Sequence, residues 1–323
     1  MSSLSIVIPT YNRPTQLRET IDCIVPQIDR TIPVSIYDNN STCDTEGVVL
    51  KAILGNDAID VSAVRHSTNI SAVGNVLRAI EMCNSSWLWI LADDDTPSED
   101  AIKMICDAIR VNPDAHFINF RSNLGGASSD FATSGVDDFL ERLPSFSNAI
   151  FLSTSIYNIE KIRPFLGYGY NYCSTQVPQF VTLVMSLRDK GRCVFKSSNI
   201  VRYNSPDESE RWRDSALSTN ALSVLLGMAG LVNIPSNVRQ KNLLGRMVAT
   251  HLRPRYLFVQ LVGLINSEEK LHFPPSYLAN QFYCATQCLP LGAWMRLKML
   301  ILTLLFRVPI IALAIYNIFK QKQ

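Results

Sequence analysis

Three consecutive carboxylates, Asp93, Asp94 and Asp95, follow the apolar segment Trp87–Leu91 almost without interruption. Adjacent carboxylates repel one another, and each raises the pKa of its neighbour. A divalent cation with oxygen ligands relieves this repulsion, and Mg²⁺ typically binds one or two protein carboxylates together with the phosphate oxygens of a substrate. The alternative is an acidic helix N-terminus whose charges only complement the helix dipole. Taken alone, the triplet supports the two interpretations about equally.

The residues after the triplet predict the start of a helix. Thr96-Pro97-Ser98-Glu99 has the pattern of a capping box, with Thr96 at the N-cap, Pro97 at the first helical position and Glu99 at the third. This pattern predicts that the three carboxylates lie in a tight turn between a strand and a helix.

The first 120 residues alternate between short apolar runs and amphipathic stripes. Short apolar runs are typical of buried strands, and apolar residues three or four positions apart are typical of helices. The predicted strands are Leu4–Ile8, Val34–Tyr37, Ile59–Val64, Trp87–Leu91 and His116–Phe120. Helices are predicted around 17–28, 73–80, 102–109 and 180–187. This alternation predicts an α/β fold with a mostly parallel sheet and helices on both faces.

Polar residues stand where the predicted strands end, and open parallel sheets bind ligands at the carboxyl ends of their strands. The three polar segments are Pro9-Thr10-Tyr11-Asn12-Arg13, Asp38-Asn39-Asn40-Ser41 and the acidic triplet. The carboxylate of Asp38 can accept hydrogen bonds from a nucleobase or a ribose, although an Asx-turn at the strand end explains it as well. Asn69 and Asn75 flank the start of the next predicted helix and, alone, are ordinary cap and turn residues.

In this order and at this spacing, the motifs resemble those of the family 2 glycosyltransferases of the GT-A fold. The resemblance covers residues 4–120 and extends more loosely to about residue 203. Its elements are Ser5–Arg13, Asp38–Thr42, Asn69 with Asn75, and the Asp triplet at the place of the family's DxD motif. Within the family, the chain is most similar to the bacterial O-antigen or capsule sugar transferases of the abequosyltransferase-like kind.

The resemblance implies a nucleotide-sugar donor, a bound Mg²⁺ or Mn²⁺, and inversion at the anomeric carbon of the transferred sugar. It assigns Asp93 and Asp95 to the metal, with Asp94 as the alternative to either, and it assigns Asp38 to the nucleobase. The residues expected to contact the nucleotide-sugar are Pro9, Thr10, Asn12, Arg13, Asp38, Asn40, Asn69, Asn75, Asp93 and Asp94. A metal at this place stabilises the charge that develops on the leaving diphosphate.

The general base is where the chain departs from the family pattern. Family members usually carry an acidic pair about a dozen residues before a glycine. Counting back from Gly191 reaches Pro178-Gln179-Phe180, which holds no carboxylate, and glutamine cannot take up a proton at neutral pH. The next acidic cluster offers Asp207 and Glu208 as candidates, although a solvated loop explains them as well. Tyr203-Asn204 stands near the place of the family's late histidine ligand.

The unassigned base leaves a second function open, namely a nucleotide-sugar-binding protein of the same fold that lacks catalysis. Two other enzyme classes are disfavoured. A nucleotidyltransferase would carry a glycine-rich basic phosphate loop near the N-terminus, and a dehydrogenase would carry GxGxxG after the first strand; the sequence has neither. A net charge of only +2 argues against a nucleic-acid-binding protein.

Charge divides the chain near residue 214. Residues 1–214 have a net charge of −7 and are predicted to form the GT-A domain, whereas residues 215–323 have a net charge of +9 and are predicted to be helical, basic and apolar. The segment Met299–Phe319 contains one charged residue, Arg307, and one proline, Pro309, and these two residues disfavour a membrane span. We expect this region to lie at an anionic membrane surface, beside a lipid-linked glycan acceptor.

Two alternatives stay open for the C-terminal segment: a membrane span, and an ordinary helix pair in a core or an oligomer interface. The N-terminal sequence, MSSLSIVIPTYNR, lacks the basic region and long apolar run of a signal peptide. We therefore expect a cytoplasmic protein that binds peripherally to the inner face of the bacterial cytoplasmic membrane, with reduced cysteines.

Overall fold

The computed structural model describes residues 3–54, 58–204 and 227–251, together with five positions between 296 and 304. The chain divides into two compact units, one comprising Met1–Cys173 and Val177–Asn204, the other Ser174–Gln176 and Ser205–Gln323. Within the described residues, no helix has both the length and the apolar character needed to cross a lipid bilayer.

The first unit is built on an eight-stranded sheet. Its strands are β1 (Leu4–Thr10), β2 (Val34–Asp38), β3 (Val61–Arg65), β4 (Trp87–Ile90), β6 (Phe117–Arg121), β7 (Phe131–Ser134), β8 (Ser155–Asn158) and β9 (Arg192–Asn199). They lie in the order β3-β2-β1-β4-β8-β6-β9-β7. A separate small sheet pairs β5 (Thr96–Pro97) with β10 (Val201–Arg202).

Helices connect these strands. Those of the first unit are α1 (Pro14–Ile24), α2 (Thr45–Ile53), α3 (Ser71–Met82), α4 (Ala101–Val111), α5 (Gly135–Arg142), α6 (Phe146–Ile150), α7 (Ile159–Ile162), α8 (Leu166–Asn171) and α9 (Pro178–Ser186), with 3₁₀ turns at Val25–Gln27, Leu152–Thr154 and Arg163–Phe165. The second unit contains a 3₁₀ turn at Ala229–Asn233 and the helix α10 (Val238–His251).

The predicted mostly parallel α/β sheet is confirmed. The strands β3, β2, β1 and β4 are parallel to one another, and β6 is parallel to β9. The remaining pairings are antiparallel, because β8 lies between β4 and β6 and β7 closes the edge beside β9. The chain therefore has a parallel half, which contains the predicted motifs, and a mixed half.

The amphipathic stripes pack as their spacing predicts. Leu17 and Ile21 of α1 and Ile105 of α4 lie in one buried cluster with Ile6 and Ile8 of β1. Full burial of an aliphatic side chain of this kind contributes about 1.5–3 kcal/mol. This packing fixes the position of α1 and α4 against the sheet, and with them the loops on either side of the acidic triplet.

The capping box predicted at Thr96–Glu99 is wrong. Thr96 and Pro97 form β5, in which Pro97 pairs with Val201, and the Ser98 amide donates a hydrogen bond to the Ile200 carbonyl at 2.8 Å. The helix α4 begins only at Ala101. Hydrogen bonds to a segment about one hundred residues away satisfy the backbone here, so the local helix signal does not decide the structure.

A buried polar network joins β6 to α6. The Asn148 side chain is fully buried; its Nδ2 donates to the Asn119 Oδ1 and the Phe120 carbonyl, each at 2.8 Å, and its Oδ1 accepts from the Ser122 hydroxyl at 2.7 Å. Asn119 in turn donates to the Thr154 hydroxyl at 3.2 Å. The network thus holds the 3₁₀ turn at Leu152–Thr154 in place.

We predict that Asn148→Ala destabilises the protein by more than a surface substitution does. The change leaves buried donors and acceptors unpaired, and each such group costs about 1–3 kcal/mol. The free energy of unfolding, measured by urea denaturation, is expected to fall by at least that amount. The control is Asn84→Ala at an exposed position, which is expected to change it by less than about 0.5 kcal/mol; equal losses in the two variants would contradict a structural role for the network.

Candidate active site

Parallel strands bring the predicted polar motifs together at one edge of the sheet. Thr10, at the end of β1, is the register partner of Asp38, at the end of β2. On the other side β1 pairs with β4, which leads into the acidic triplet. The Thr10 hydroxyl donates a hydrogen bond to Asp93 Oδ2 at 2.6 Å. The ends of β1 and β4 are therefore joined by their side chains.

Two of the three carboxylates are buried. Asp93 is 5% exposed and Asp95 2%, whereas Asp94 is half-buried. Asp95 Oδ2 accepts a hydrogen bond from the Ser153 hydroxyl at 2.5 Å. The other oxygen, Oδ1, is buried and has no hydrogen-bond partner within the described part of the chain. A buried acceptor without a partner is unfavourable by about 1–3 kcal/mol.

The burial of the two carboxylates changes their proton affinity. Burial raises the pKa of Asp93 to about 6, against the lowering effects of the Thr10 hydroxyl and the Arg13 charge. Burial likewise raises the pKa of Asp95 to about 7, although the Ser153 hydrogen bond lowers it. Both carboxylates thus hold protons more firmly than a solvated aspartate does, which is typical of functional sites.

The backbone of the triplet is fixed from two sides. The Thr20 hydroxyl, on the buried face of α1, lies 2.9 Å from the Asp93 carbonyl and 3.2 Å from the Asp95 carbonyl. Asn204 Nδ2 donates to the Asp94 carbonyl at 2.9 Å and to the Thr96 hydroxyl at 2.8 Å. These hydrogen bonds fix the backbone conformation of the triplet.

Arg13 places a positive charge against the triplet. Its Nη1 lies 2.5 Å from Asp94 Oδ2 and 3.3 Å from Asp93 Oδ1. Arg13 is the N-cap residue of α1 and precedes Pro14, which occupies the first helical turn. The guanidinium therefore approaches the carboxylates from the loop that follows β1.

The loops after β1 and β2 are tied to each other. Asn12 has a positive φ of 55°, its amide donates to the Ser41 hydroxyl at 2.9 Å, and its Oδ1 accepts from the Thr42 amide at 2.7 Å. Asp38 is buried, and its Oδ1 accepts from the Ser41 amide at 2.8 Å. The Asx-type turn weighed for Asp38 is thus present, while Asp38 Oδ2 lies 3.9 Å from Arg65 Nη1.

The asparagines at the start of α3 contact the loop after β2. Asn69 Oδ1 accepts from Asn39 Nδ2 at 2.9 Å. Asn75 is buried; its Nδ2 donates to the Tyr37 carbonyl at 2.9 Å, and its Oδ1 lies 2.9 Å from His66 Nε2. These bonds position the α3 N-terminus beside β2. Asn40, in the same loop, has a positive φ of 67°, and Pro9 lies within β1.

The structure brings some predicted site residues together and leaves others aside. Thr10 contacts Asp93, Arg13 contacts Asp93 and Asp94, and the loop that holds Asn12 is hydrogen-bonded to the loop that holds Asp38 and Asn40. Asp207 and Glu208 lie outside the described residues, as does Met299–Phe319 except for three positions. At the start of α9, where the family pattern expects acidic residues, buried Gln179 donates to the Ile150 carbonyl at 3.2 Å.

Sequence reasoning missed Thr20 and Ser153. The sequence does mark Thr20 as unusual, because it is a polar residue within the apolar stripe of α1 that contains Leu17, Ile21 and Ile24. No sequence pattern marks Ser153, since it lies in a short 3₁₀ turn and is bonded to Asp95, which is 58 positions away in the sequence. Its Oγ also accepts from the Ala92 amide at 3.0 Å.

The sequence is similar to a glycosyltransferase family and to individual glycosyltransferases. Residues 5–153 match the family described as Glycosyl transferase family 2. The chain is 30% identical over 104 residues to abequosyltransferase RfbV of Salmonella typhimurium, which is 32% of this chain and 31% of the relative. It is 27% identical over 115 residues to an uncharacterized glycosyltransferase of Haemophilus influenzae, 36% of this chain and 37% of the relative. The matched segments thus span about a third of these curated relatives.

Solved structures with a similar fold cover nearly the whole chain. The mannosyltransferase PcManGT of Pyrobaculum calidifontis, in complex with GDP-Man and Mn²⁺, has a TM-score of 0.56 at 15% identity and covers 99% of this chain and 88% of its own. S. aureus TarS in complex with UDP-GlcNAc has a TM-score of 0.58 at 12% identity, with coverages of 99% and 92%. These likenesses confirm the predicted GT-A fold.

We predict that Asp93 and Asp95 make the metal-free protein less stable as the pH rises. A raised pKa in the folded state means that folding binds protons between about pH 4 and pH 7, so the stability contribution is present at pH 4 and is lost as the pH passes about 6 and 7. Each unit of pKa shift corresponds to about 1.4 kcal/mol. The double variant Asp93→Asn/Asp95→Asn is therefore expected to lose less stability than the wild type between pH 4 and pH 8.

The measurement is urea denaturation at both pH values in the presence of a chelator. Asp107→Asn, at an exposed carboxylate paired with Arg110, is the matched control and is expected to keep the wild-type pH dependence. An unchanged pH dependence in the double variant would contradict the raised pKa values.

Proposed function

We propose that the chain, whose residues 5–153 match Glycosyl transferase family 2, transfers a sugar from a nucleotide-sugar donor to a hydroxyl group of a bacterial surface glycan, with inversion at the anomeric carbon. The observation that carries this proposal is the contact of Thr10 with the buried Asp93, and of Arg13 with Asp93 and Asp94, at the sheet edge where ligands of α/β folds bind.

The oxygen ligands that the acidic triplet offers are suited to a hard divalent cation. No group of three or more His, Cys, Asp or Glu residues that could hold a metal is present within the described residues. Mg²⁺ sites that are completed by substrate phosphates need only one or two protein carboxylates. Asp93 and Asp95 supply these, and the unpartnered Oδ1 of Asp95 is an acceptor that a cation would satisfy. Mg²⁺ or Mn²⁺ bound there would act as a Lewis acid for the departing diphosphate.

The residues of the chain itself divide the remaining work. Thr10 and Ser153 hold the two buried carboxylates in fixed positions through short hydrogen bonds. Arg13 brings a planar guanidinium, which suits phosphate oxygens, to the same place. Asp38 offers its second oxygen to the nucleobase while its first forms the turn at Ser41. The acceptor hydroxyl needs a base within hydrogen-bond distance, for which Asp207 and Glu208 remain the candidates.

The comparisons support the choice of ligands without fixing them. GDP-Man with Mn²⁺ and UDP-GlcNAc are the ligands of two neighbours of the same fold, and a relative is an abequosyltransferase. For this chain we propose a nucleotide-sugar donor, Mg²⁺ or Mn²⁺ as the cation, and an acceptor of the O-antigen type on a lipid carrier.

One observation favours a second function, that of a nucleotide-sugar-binding protein without catalysis. Gln179, which replaces the expected acid, is buried and hydrogen-bonded to the backbone, so it supplies no base. One result distinguishes the two functions. A binding protein would bind the nucleotide-sugar donor but would transfer no sugar when the acceptor is supplied.

We predict that Asp95→Asn abolishes Mn²⁺-dependent stabilisation by the donor. A panel of UDP-, GDP-, CDP- and dTDP-sugars is tested by thermal unfolding with and without Mn²⁺; a donor at 100 times its Kd stabilises the wild type by about 2.7 kcal/mol. Transfer activity should be lost in the same variant, because the carboxylate helps to hold the cation. Asp107→Asn is the control; an Asp95→Asn variant with full Mn²⁺-dependent binding and transfer would refute the proposal.

The C-terminal region offers a surface for the proposed membrane association. Leu297, Leu300, Ile301 and Leu304 are described in helix, each is between 39% and 52% exposed, and their spacing places them on one helix face. Arg296 is exposed beside them. An exposed apolar stripe in a segment of net charge +9 suits an anionic lipid surface. We place the protein on this basis at the inner face of the cytoplasmic membrane.

We predict that Leu300→Ser/Ile301→Ser releases the protein from membranes. Two apolar side chains that enter the lipid interface are lost, so binding to vesicles of phosphatidylglycerol and phosphatidylcholine is expected to weaken at least tenfold in a flotation assay. Val111→Ser removes an exposed apolar side chain from α4 and is expected to bind as the wild type does. Equal binding of all three proteins would rule out this face as the lipid contact.

A further inference from the structure

The Arg13 guanidinium contacts Asp93, one of the two carboxylates that the proposed cation would use, and Asp94, the alternative to either. Its Nη1 contacts Asp94 Oδ2 at 2.5 Å and Asp93 Oδ1 at 3.3 Å. Within the described residues, Arg13 is the one basic side chain within 4 Å of the triplet. Its positive charge therefore partly neutralises Asp93 and Asp94.

A divalent cation and this guanidinium compete. Both are positively charged and both would use Asp93, so their mutual repulsion and this shared carboxylate make simultaneous occupation unfavourable. A diphosphate changes the balance, because its oxygens match the planar fork of arginine and form charge-assisted hydrogen bonds with it. The donor thus offers Arg13 a new partner at the moment when its diphosphate brings further negative charge to the site.

The surroundings permit Arg13 to leave. Its side chain is 42% exposed, so solvent is available for its movement. Asp93 keeps the Thr10 hydrogen bond of 2.6 Å, and Asp95 keeps the bond from Ser153, when the guanidinium departs. Asp94 is exposed enough, at 33%, to be solvated or to turn toward a ligand. Asp93 and Asp95 consequently each have a hydrogen bond that does not depend on Arg13.

We propose that Arg13 is a built-in counter-cation, which neutralises the acidic triplet when no donor is bound and moves to the donor diphosphate when it binds, so that the site takes up a divalent cation together with a nucleoside diphosphate rather than alone. This inference rests on the proposed function. It predicts positive coupling, in which nucleoside diphosphate tightens Mn²⁺ binding and Mn²⁺ tightens nucleotide binding by the same factor.

The test is Mn²⁺ binding to the full chain, followed by the EPR signal of free Mn²⁺, first with MnCl₂ alone and then with UDP, GDP or CDP. Arg13→Gln is expected to bind Mn²⁺ alone more tightly than the wild type, by a factor on the order of ten, because a competing charge is removed. The same variant is expected to bind nucleoside diphosphate more weakly in the presence of Mn²⁺, so the coupling factor shrinks.

Two further variants isolate the role of Arg13. Arg18→Gln is the matched control, since Arg18 is 41% exposed and pairs with Asp22 on the surface of α1; it is expected to behave as the wild type. Arg13→Lys keeps the charge and loses the fork, so it should restore wild-type Mn²⁺ binding in the absence of nucleotide and still bind nucleotide weakly. Thermal unfolding of each variant without ligands checks that the fold is intact.

The inference is overturned when Arg13→Gln binds Mn²⁺ alone no more tightly than the wild type and Arg18→Gln, or when no protein of the series binds Mn²⁺. Failure of the proposed function has a different signature, because the wild type would then bind neither nucleoside diphosphates nor nucleotide-sugars. A wild type that binds nucleotide, together with an Arg13→Gln variant whose Mn²⁺ affinity is unchanged, refutes the counter-cation alone.

Discussion

The burial of Asp93 and Asp95 at the carboxyl ends of parallel strands is the constraint on which the rest of the site depends. A carboxylate removed from water needs hydrogen bonds or opposite charge to remain ionised. Thr10 and Ser153 supply hydrogen bonds, yet the pKa values stay raised and one oxygen of Asp95 has no described partner. Compensation is therefore incomplete, and the cation that we propose at this edge would supply the missing positive charge.

The parallel half of the fold could be predicted because its signals are local. The apolar runs of β1, β2 and β4 and the stripe of α1 each specify an element within about ten residues, and parallel pairing then follows from strand–helix alternation. The position of β8 between β4 and β6 could not be predicted, because antiparallel insertion depends on contacts some 70 residues apart. The same reason explains the error at Thr96, where pairing with β10 overrides a capping pattern.

The candidate site could likewise be predicted only in part from the sequence. Thr10, Arg13 and the triplet were predicted to meet because each follows a strand of one parallel sheet, and the structure brings them into contact. Ser153 escaped prediction because a serine in a 3₁₀ turn carries no periodic signal. The base could not be found at all, since its candidates lie beyond the described residues and the α9 position holds a buried glutamine instead of an acid.

The groups that neutralise the triplet differ in whether they can change partners. Thr10 and Ser153 are nearly or fully buried and uncharged, so their hydrogen bonds to the carboxylates do not depend on which cation or anion is nearby. Arg13 is charged and partly exposed, so its interaction responds to every ion that enters. A site built in this way keeps Asp93 and Asp95 in place while its net charge changes, which is what the proposed exchange of the guanidinium for a divalent cation requires.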